Sequence, residues 1–334
     1  MIDVILKVLL VKGGNIMKNK IIIDADPGID DALAISLAIN CEKYDILGIT
    51  LVSGNVEATL CYYNTLKILN FEQTSIPIYI GSQKPLKREL VTAKETHGED
   101  GLGNSNLLYN YVKPNEKNAV DFIIESLKKD KKIKIFALGP LTNIAKALKK
   151  CPEVFEGVEI ISMGGAFKSH GNCSPVAEFN YWVDPDAADY VIQNYPGKVK
   201  IMPLDVTRKF VLTPNIISFL MHLDKKRAEF IKKITDFYMD FHYEYEDIIG
   251  SVINDPLTMI CDLREDLFEK KEYYAQVQKD GYAMGELIVD EYNFYKKEPN
   301  IILYTNINSE IAMKEFLSIL FKDHREKIYA RRFL

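Results

Sequence analysis

Residues 21–32 read IIIDADPGIDDA, an isoleucine run followed by four aspartates within eight positions. The β-branched run predicts a buried strand over Ile21–Asp24, and the residues after it predict a helix over Asp30–Ile39 that begins in the aspartate-rich turn. Four carboxylates this close together repel one another and favour protonation unless a positive charge lies among them. Because the stretch contains no lysine or arginine, a divalent cation is the simplest source of that charge.

Strands and helices alternate along the rest of the chain. Further strands are predicted over Tyr44–Val52, Ile76–Ile80, Ile133–Leu138, Val158–Ser162, Val199–Leu204, Tyr273–Val277 and Ile301–Tyr304. Helices are predicted over Glu57–Asn70, Glu116–Lys129, Leu141–Lys149, Pro185–Asn194, Thr213–Glu246 and Ser309–Phe321, with another from Asp255. This alternation predicts an α/β fold in which helices flank a mainly parallel central sheet.

The composition is that of a globular protein with a substantial core. The chain has 334 residues, of which 47% are hydrophobic, and this length suits one large domain or two smaller ones. A net charge of −5 argues against sequence-independent nucleic-acid binding. The five cysteines are scattered without a CxxC pair, which is typical of a cytoplasmic protein with reduced thiols. No apolar run reaches the roughly 18 residues of a membrane span, so we expect neither a nucleic-acid nor a membrane partner.

Residues 1–16 are predicted to be a separate extension, either non-native or disordered. They lack the basic start and the small-residue cleavage site of a signal peptide. The string KGGN shortly before Met17 can be encoded by AAAGGAGGAAAT, which resembles a bacterial ribosome-binding site. We therefore expect natural translation to begin at Met17, and the intact mass of the protein made from its native locus tests this.

Polar segments follow several predicted strands at the point where each strand ends. These segments are Asp24–Asp31, Ser53–Asn55, Leu138–Pro140, Ser162–Gly165 and Leu204–Asp205. Ligands of open parallel sheets bind outside the carboxyl ends of the strands, so we expect the segments to gather at one edge, joined by Asp255. Oxygen donors without histidine or cysteine favour calcium or magnesium over zinc. Helix capping is the alternative role for the aspartates, and it accounts for one or two of them.

Five separated motifs together resemble the nucleoside hydrolases, the inosine–uridine-preferring ribohydrolase family. They are DADPGIDDA at 24–32, SGN at 53–55, ALGPLTNIA at 137–145, MGGA…GNCSPVAEFNYWVDPDAA within 163–188, and NDP at 254–256. The resemblance runs from about Lys20 to the C-terminus. It implies a single catalytic domain over 17–334, built on the Rossmann-like open sheet of that family. Members commonly form dimers or tetramers, so a homodimer or homotetramer is expected.

The resemblance also implies a calcium cofactor and a set of ribose-binding residues. Calcium would be held by Asp26, Asp31, Asp255 and the backbone carbonyl of Leu138, a position where the family often has threonine and where a carbonyl ligand tolerates the change. The residues expected at the ribose and beside the substrate are Asp30, Asn55, Met163, Asn172, Glu178, Phe179 and Asn180.

The activity that the resemblance implies is hydrolysis of the N-glycosidic bond of a ribonucleoside, giving free base and ribose. Calcium would hold the 2′- and 3′-hydroxyls together with the attacking water, which fixes their geometry and eases deprotonation of the water. Asp26 is the candidate general base. Direct attack by water predicts inversion at the anomeric carbon.

At the leaving base the sequence departs from the family. Many members have histidine directly before the aspartate of the NDP motif, whereas this chain has Asn254, and an amide is no general acid at neutral pH. His97, in the family-like loop motif THGEDGLG, is a candidate to contact the base. Tyr238 and His242 are further candidates because they lie four residues apart on a predicted helix, although helix packing explains that pair equally well. Whether the base is a purine or a pyrimidine stays open.

Two other classes of function stay open at this point. A phosphatase with an aspartyl nucleophile would use Asp24 and Asp26, but it assigns no role to GNCSPVAEFN. A nucleoside- or ribose-binding protein with weak or no turnover would explain Asn254. Release of phosphate without release of base would favour the first, and tight nucleoside binding without turnover would favour the second.

Overall fold

A computed structural model describes residues 18–333, so the predicted extension over residues 1–16 lies outside the described residues. The strands are β1 (Asn19–Ala25), β2 (Tyr44–Leu51), β3 (Ile78–Ile80), β4 (Lys134–Ala137), β5 (Glu159–Met163), β6 (Val199–Met202), β7 (Val211–Leu212), β8 (Ser251–Val252), β9 (Phe268–Val277), β10 (Leu287–Asp290) and β11 (Ile301–Ile307).

The helices of the described range are α1 (Ile29–Asn40), α2 (Ala58–Phe71), α3 (Lys94–His97), α4 (Ala119–Lys129), α5 (Thr142–Lys150), α6 (Phe179–Val183), α7 (Pro185–Asn194), α8 (Leu204–Thr207), α9 (Pro214–Met221), α10 (Lys225–Glu246), α11 (Pro256–Leu263), α12 (Ser309–Leu320) and α13 (Arg325–Tyr329). Short 3₁₀ turns cover Pro152–Phe155, Glu265–Leu267 and Lys322–His324. Most bounds lie within two or three residues of those that the sequence predicts.

A nine-stranded sheet in the order β10-β9-β11-β6-β5-β4-β1-β2-β3 forms the centre of the fold. Neighbouring strands from β11 to β3 pair in parallel, whereas β9 runs antiparallel to both β11 and β10. The predicted α/β fold is therefore confirmed. The chain builds outward in opposite directions from β1 and β4, and such a reversal of strand order opens a crevice at the carboxyl ends of those two strands.

Strand β1 shows how the isoleucine run is buried on both faces of the sheet. Ile21 and Ile23 belong to one hydrophobic cluster, which α1, α2 and α11 also line. Ile22 belongs to a second cluster, lined by α4, α5 and α7. Because successive side chains of a strand point to opposite faces, β1 contributes to both cores at once. The end of β1 around Asp24 therefore lies between two apolar clusters, and the other three aspartates follow directly after the strand.

The predicted continuous helix over Thr213–Glu246 is wrong, because α9 ends at Met221 and α10 begins at Lys225. The break is made by Asp224, whose side-chain oxygen accepts a hydrogen bond from the backbone N–H of Arg227 at 3.1 Å. A short acidic side chain stabilises a helix N-terminus more than a helix interior, so it starts a new helix at this point.

Two further features were not anticipated from the sequence. Strand β10 pairs with β9 in an antiparallel register that sets Leu287 opposite Val277, which extends the sheet beyond its parallel part. The long polar segment 83–114 contains the one-turn helix α3. Among the helices of residues 18–333, none combines the length and the apolar character that crossing a membrane requires.

Candidate active site

The segments after β1, β2, β4 and β5 converge on one cleft of about 530 Å³, a volume in the usual range for small-molecule sites. Nearly all of the predicted site residues line it: Asp30, Asn55, His97, Leu138, Met163, Asn172, Glu178, Phe179, Asn180, Tyr238, His242, Asn254 and Asp255. The remaining two, Asp26 and Asp31, are fully buried. The structure thus brings together residues that lie up to 229 positions apart in the sequence, from Asp26 to Asp255, because the strand ends share an edge of the sheet.

Three carboxylates form a compact acidic group in this cleft. One oxygen each of Asp30, Asp31 and Asp255 lies within 4.8 Å of the others, and all three side chains are buried. Burial, with the charge of Asp30, raises the pKa of Asp31 to about 7. Burial also raises the pKa of Asp255 well above its usual range, and the charges of Asp30 and Asp31 act in the same direction. A buried like-charged group of this kind needs a cation to be stable when ionised.

Asp26 is enclosed by backbone. Its Oδ2 accepts a hydrogen bond from the N–H of Asn55 at 2.7 Å. A Cβ atom on Gly54 would lie 2.0 Å from Oδ2, and one on Gly139 would lie 2.4 Å from Oδ1. Only glycine at these two positions lets the loops after β2 and β4 approach the carboxylate so closely.

The oxygen donors around the acidic group fit a hard divalent cation. Oδ1 of Asp26 and Oδ1 of Asp31 are buried and find no hydrogen-bond donor within the described residues. Oxygen atoms of this kind are the ligands that calcium and magnesium prefer. The close group of three includes Asp30, which was predicted at the ribose, and does not include Asp26. The Leu138 carbonyl, a predicted ligand, accepts a hydrogen bond from Asn180 Nδ2 at 2.7 Å.

Asp24 lies behind the cleft in a polar contact of its own. Its Oδ1 accepts hydrogen bonds from Thr50 Oγ1 at 2.5 Å and from Asn143 Nδ2 at 2.8 Å. Asn143 also accepts from the backbone N–H of Ser82 at 2.8 Å, so it ties the ends of β1, β2 and β3 together. Its position in the ALGPLTNIA motif is the one signal that could have pointed to this role.

The side of the cleft that holds Asn172, Glu178 and Asn180, the residues predicted at the ribose, is organised around the start of α6. Glu178 caps this helix, because its carboxylate accepts from the backbone N–H groups of Asn180 at 2.8 Å and Tyr181 at 3.2 Å. Burial raises the pKa of Glu178 to about 7. Asn172 Oδ1 accepts from the backbone N–H of Phe179 at 2.9 Å. Polar side chains from one loop are thus held in place by a single helix turn.

His97 and His242, which line the other side of the cleft, are held as different tautomers. His97 Nδ1 accepts a hydrogen bond from the backbone N–H of Ile29 at 3.1 Å, so a neutral ring carries its proton on Nε2. His242 Nδ1 lies 2.7 Å from the carbonyl oxygen of Tyr238 and must donate to it, which leaves Nε2 as an acceptor. Burial lowers the pKa of both rings. One ring therefore offers a donor and the other an acceptor.

Asn254 joins the acidic group to the aromatic side of the cleft. Its Nδ2 donates to Asp30 Oδ2 at 3.0 Å and to the Tyr238 hydroxyl at 3.3 Å. Because the Tyr238 oxygen accepts this bond, its own proton is free to point elsewhere. The Tyr238 ring lies edge-on to His242 at 4.3 Å between centroids and 5.2 Å from His97. Tyr238 and His242 therefore pack against each other and line the cleft as well.

Some residues of the cleft were missed by the sequence interpretation. Phe241 and Tyr245 line it together with Tyr238 and His242. Their spacing of three, four and seven residues along α10 is the stripe of one helix face, which could have identified them. Arg208 also lines the cleft, but nothing in the sequence around it marks it out.

Comparison with known proteins confirms the predicted family. The model of the family described as inosine-uridine preferring nucleoside hydrolase matches residues 21–314. A protein of Arabidopsis thaliana named probable uridine nucleosidase 2 is 35% identical over 309 residues, which cover 89% of this chain and 96% of the relative.

Two solved structures have closely similar folds. A plant nucleoside hydrolase is 31% identical with a TM-score of 0.86, and the alignment covers 91% of this chain and 99% of that one. A purine-preferring ribonucleoside hydrolase from Gardnerella vaginalis is 30% identical with a TM-score of 0.85, covering 92% of this chain and 99% of that one. The chain belongs to the inosine-uridine preferring nucleoside hydrolase family, whose members hydrolyse the N-glycosidic bond of ribonucleosides.

Proposed function

We propose that this nucleoside hydrolase requires calcium and releases uracil from uridine in preference to purine bases. The observation that carries the proposal is the division of one cleft into two chemically different ends. Asp30, Asp31 and Asp255 make one end acidic, and Tyr238 with its neighbouring histidines makes the other end neutral and aromatic. A nucleoside has the matching polarity, with a polyhydroxylated sugar at one end and a flat base at the other.

The hydrogen-bonding groups of the aromatic end favour uracil. Uracil presents two carbonyl acceptors on either side of an N3–H donor. The cleft offers the Nε2–H of His97 and the hydroxyl of Tyr238 as donors, and Nε2 of His242 as an acceptor. The Arabidopsis relative carries the name of a uridine nucleosidase, whereas the Gardnerella enzyme is called purine-preferring, so both preferences exist among similar proteins.

At the sugar end we assign the general base to Asp26. Its buried Oδ1 has no hydrogen-bond donor within residues 18–333 and can accept a proton from the attacking water. When bound to Asp26, Asp31, Asp255 and the Leu138 carbonyl, calcium would supply charge that orients the sugar hydroxyls and lowers the pKa of a water molecule. The ribose hydroxyls are assigned to the surrounding polar side chains, Asp30, Asn55, Asn172, Glu178 and Asn180, with Met163 and Phe179 beside them.

At the base end the departing uracil takes the electron pair of the broken N-glycosidic bond. His97 and Tyr238 then donate hydrogen bonds to its carbonyl oxygens, where the negative charge gathers, and His242 accepts from N3–H. Asn254 is no acid, and we assign it the role of orienting the Tyr238 hydroxyl through the bond of 3.3 Å. Water attacks the opposite face of the sugar, so the first product is ribose with inverted anomeric configuration.

A base-release assay across uridine, cytidine, inosine, adenosine and guanosine tests the proposed substrate. We expect kcat/KM for uridine to exceed that for inosine by about a hundredfold, because a site built to hydrogen-bond one base rejects others strongly. A purine preference would overturn the uracil assignment but not the hydrolase activity. Tight nucleoside binding without any base release would instead favour the alternative of a binding protein.

Removal of the metal tests the calcium assignment. Dialysis against EGTA should abolish base release, and calcium should restore it. Calcium at about one hundred times its dissociation constant should also stabilise the fold by about 2.7 kcal/mol, measured by thermal unfolding of the EGTA-treated protein with and without calcium. Activity that survives exhaustive chelation, or equal restoration of activity and stability by magnesium, would refute the assignment.

One alternative and two predictions remain to be considered beside the proposal. The phosphatase alternative, which would use Asp24 and Asp26, is not favoured, because the family match over residues 21–314 supports hydrolysis of nucleosides. A homodimer or homotetramer and a cytoplasmic location stay predictions. Light scattering coupled to size-exclusion chromatography measures the first, and cell fractionation measures the second.

A further inference from the structure

The loop that follows β5 carries Asn172. The turn that follows β6 holds this loop through hydrogen bonds. The turn contains α8, which begins two residues after the end of β6. The Asp205 carboxylate on α8 accepts hydrogen bonds from three successive backbone N–H groups of the loop, those of Phe167 at 2.8 Å, Lys168 at 2.7 Å and Ser169 at 3.0 Å. The first half of the loop is therefore fixed by its N–H groups.

Arg208, at the end of α8, binds the next part of the same loop through its carbonyl groups. Its Nη1 donates to the carbonyl oxygen of His170 at 2.5 Å and to the Ser169 hydroxyl, and its Nη2 donates to the carbonyl oxygen of Gly171 at 3.0 Å. Gly171 directly precedes Asn172 in the chain. The guanidinium thus restrains the backbone one peptide bond away from a side chain assigned to the ribose.

The same guanidinium also reaches the opposite side of the cleft. Nη2 of Arg208 lies 3.3 Å from Oε1 of Glu246, and both side chains are largely buried, with exposures of 15% and 13%. Glu246 is the last residue of α10, the helix that carries Tyr238 and His242. A planar fork with several donors can make all of these bonds at once, which a lysine ammonium at one point cannot.

We propose that Arg208 is a positioning residue, which places Asn172 at the ribose and links its loop to the helix that binds the base. The inference rests on the proposed binding of ribose by Asn172. It goes beyond general stabilisation, because Asp205 already holds the loop at residues 167–169. The contribution of Arg208 is specific to residues 169–171, and its effect on catalysis should pass through Asn172.

A double-mutant cycle on the calcium-loaded enzyme tests this inference. Arg208→Ala should lower kcat/KM for uridine about tenfold, whereas in an Asn172→Ala background the same change should lower it less than about twofold. Arg208→Lys should lose nearly as much as Arg208→Ala, since one ammonium cannot bind both carbonyls. Should Arg208→Ala not fold, the Arg208→Lys cycle gives the same information. Losses that multiply in the double variant would overturn the inference and assign Arg208 an independent role.

Lys209→Ala is the matched control, because Lys209 is the adjacent cation and its ammonium binds Asn306 at 2.8 Å on an exposed surface. It should leave kcat/KM unchanged, and a loss equal to that of Arg208→Ala would refute a specific role. The cycle can be run on whichever nucleoside the wild type hydrolyses best, so a different base preference does not affect it. If the wild type releases no base, dissociation constants for nucleosides from calorimetry replace kcat/KM, and the failure of the proposed function is then seen separately.

Discussion

The two ends of the cleft are built on opposite principles. The acidic end, where we propose that the sugar binds and which we call the sugar end, concentrates ionisable groups that burial and mutual repulsion destabilise. Burial raises the pKa of Asp31 and Glu178 to about 7. The base end consists of rings that burial keeps neutral, and burial lowers the pKa of His97 and His242. The first end needs a cation to become stable in its charged form, whereas the second is neutral and needs no counter-charge.

The amide side chain of Asn254 connects these two ends of opposite character. Asn254 donates to Asp30 at the sugar end and to Tyr238 at the base end. A histidine at this position would bring a titratable group between the carboxylates and the phenol. An amide keeps its charge at zero throughout, and proton donation is left to other residues of the cleft. If this division is right, substitutions at the two ends should affect different steps of one reaction.

The largest effect is expected at the sugar end. Asp26→Asn removes the proposed general base and a proposed metal ligand, so kcat for uridine should fall by about a thousandfold or more. The loss should be similar for a riboside with an activated leaving group, such as 4-nitrophenyl riboside, because attack by water is impaired in both. Asp45→Asn, at an exposed position of β2, is the control. Retention of near-wild-type turnover would remove Asp26 from the mechanism.

A smaller and more selective effect is expected at the base end. Tyr238→Phe removes the hydroxyl that is proposed to stabilise the departing uracil, so kcat for uridine should fall by about a hundredfold. The activated riboside needs no such help, and its hydrolysis should change by less than about threefold. Tyr243→Phe, an exposed tyrosine of the same helix, should change neither rate. Equal losses on both substrates would show that Tyr238 does not act on the leaving group.

The smallest effect concerns stability and separates the two ends without any substrate. In the metal-free fold Glu178 has a pKa of about 7, raised by burial, whereas in the unfolded chain it ionises near its usual value of about 4.3. Between these values the folded state binds more protons, so this group makes the fold less stable as pH rises towards 7. Glu178→Gln should therefore gain stability over the wild type, by up to about 1.4 kcal/mol for each pH unit between the two values, and the gain should level off above pH 7.

Urea unfolding in EGTA at a series of pH values measures this difference. Glu99→Gln, at an exposed position of the loop after α3, should show no pH-dependent gain. Calcium should reduce the advantage of Glu178→Gln if a bound cation favours the ionised carboxylate. A difference that shrinks as pH rises would contradict the raised pKa and the view of the sugar end as destabilised by charge.

The sequence was most informative where one local pattern has one structural outcome. The apolar run before Asp24 predicts a buried strand, and the strand–helix alternation predicts the parallel sheet. In both cases the periodic burial of apolar side chains determines the structure. It was least informative where two local preferences compete. The residues around Asp224 continue a helical pattern, yet capping by this aspartate starts a new helix. Strand β10 is four residues long and is specified mainly by pairing with β9.

The same distinction holds for the site. The sequence by itself determined the family, the oxygen-rich donor set and the residue types of the cleft. The motifs can be read along the chain, and the strand–helix alternation predicts which residues lie at the strand ends. Only the tertiary structure decided which oxygens of Asp26 and Asp31 have no hydrogen-bond donor among residues 18–333 and which tautomers the histidines adopt. It also decided that Arg208 contacts both the loop after β5 and helix α10. Hydrogen-bond partners depend on distances of a few tenths of an ångström between distant segments, and such distances are set by packing of the whole fold.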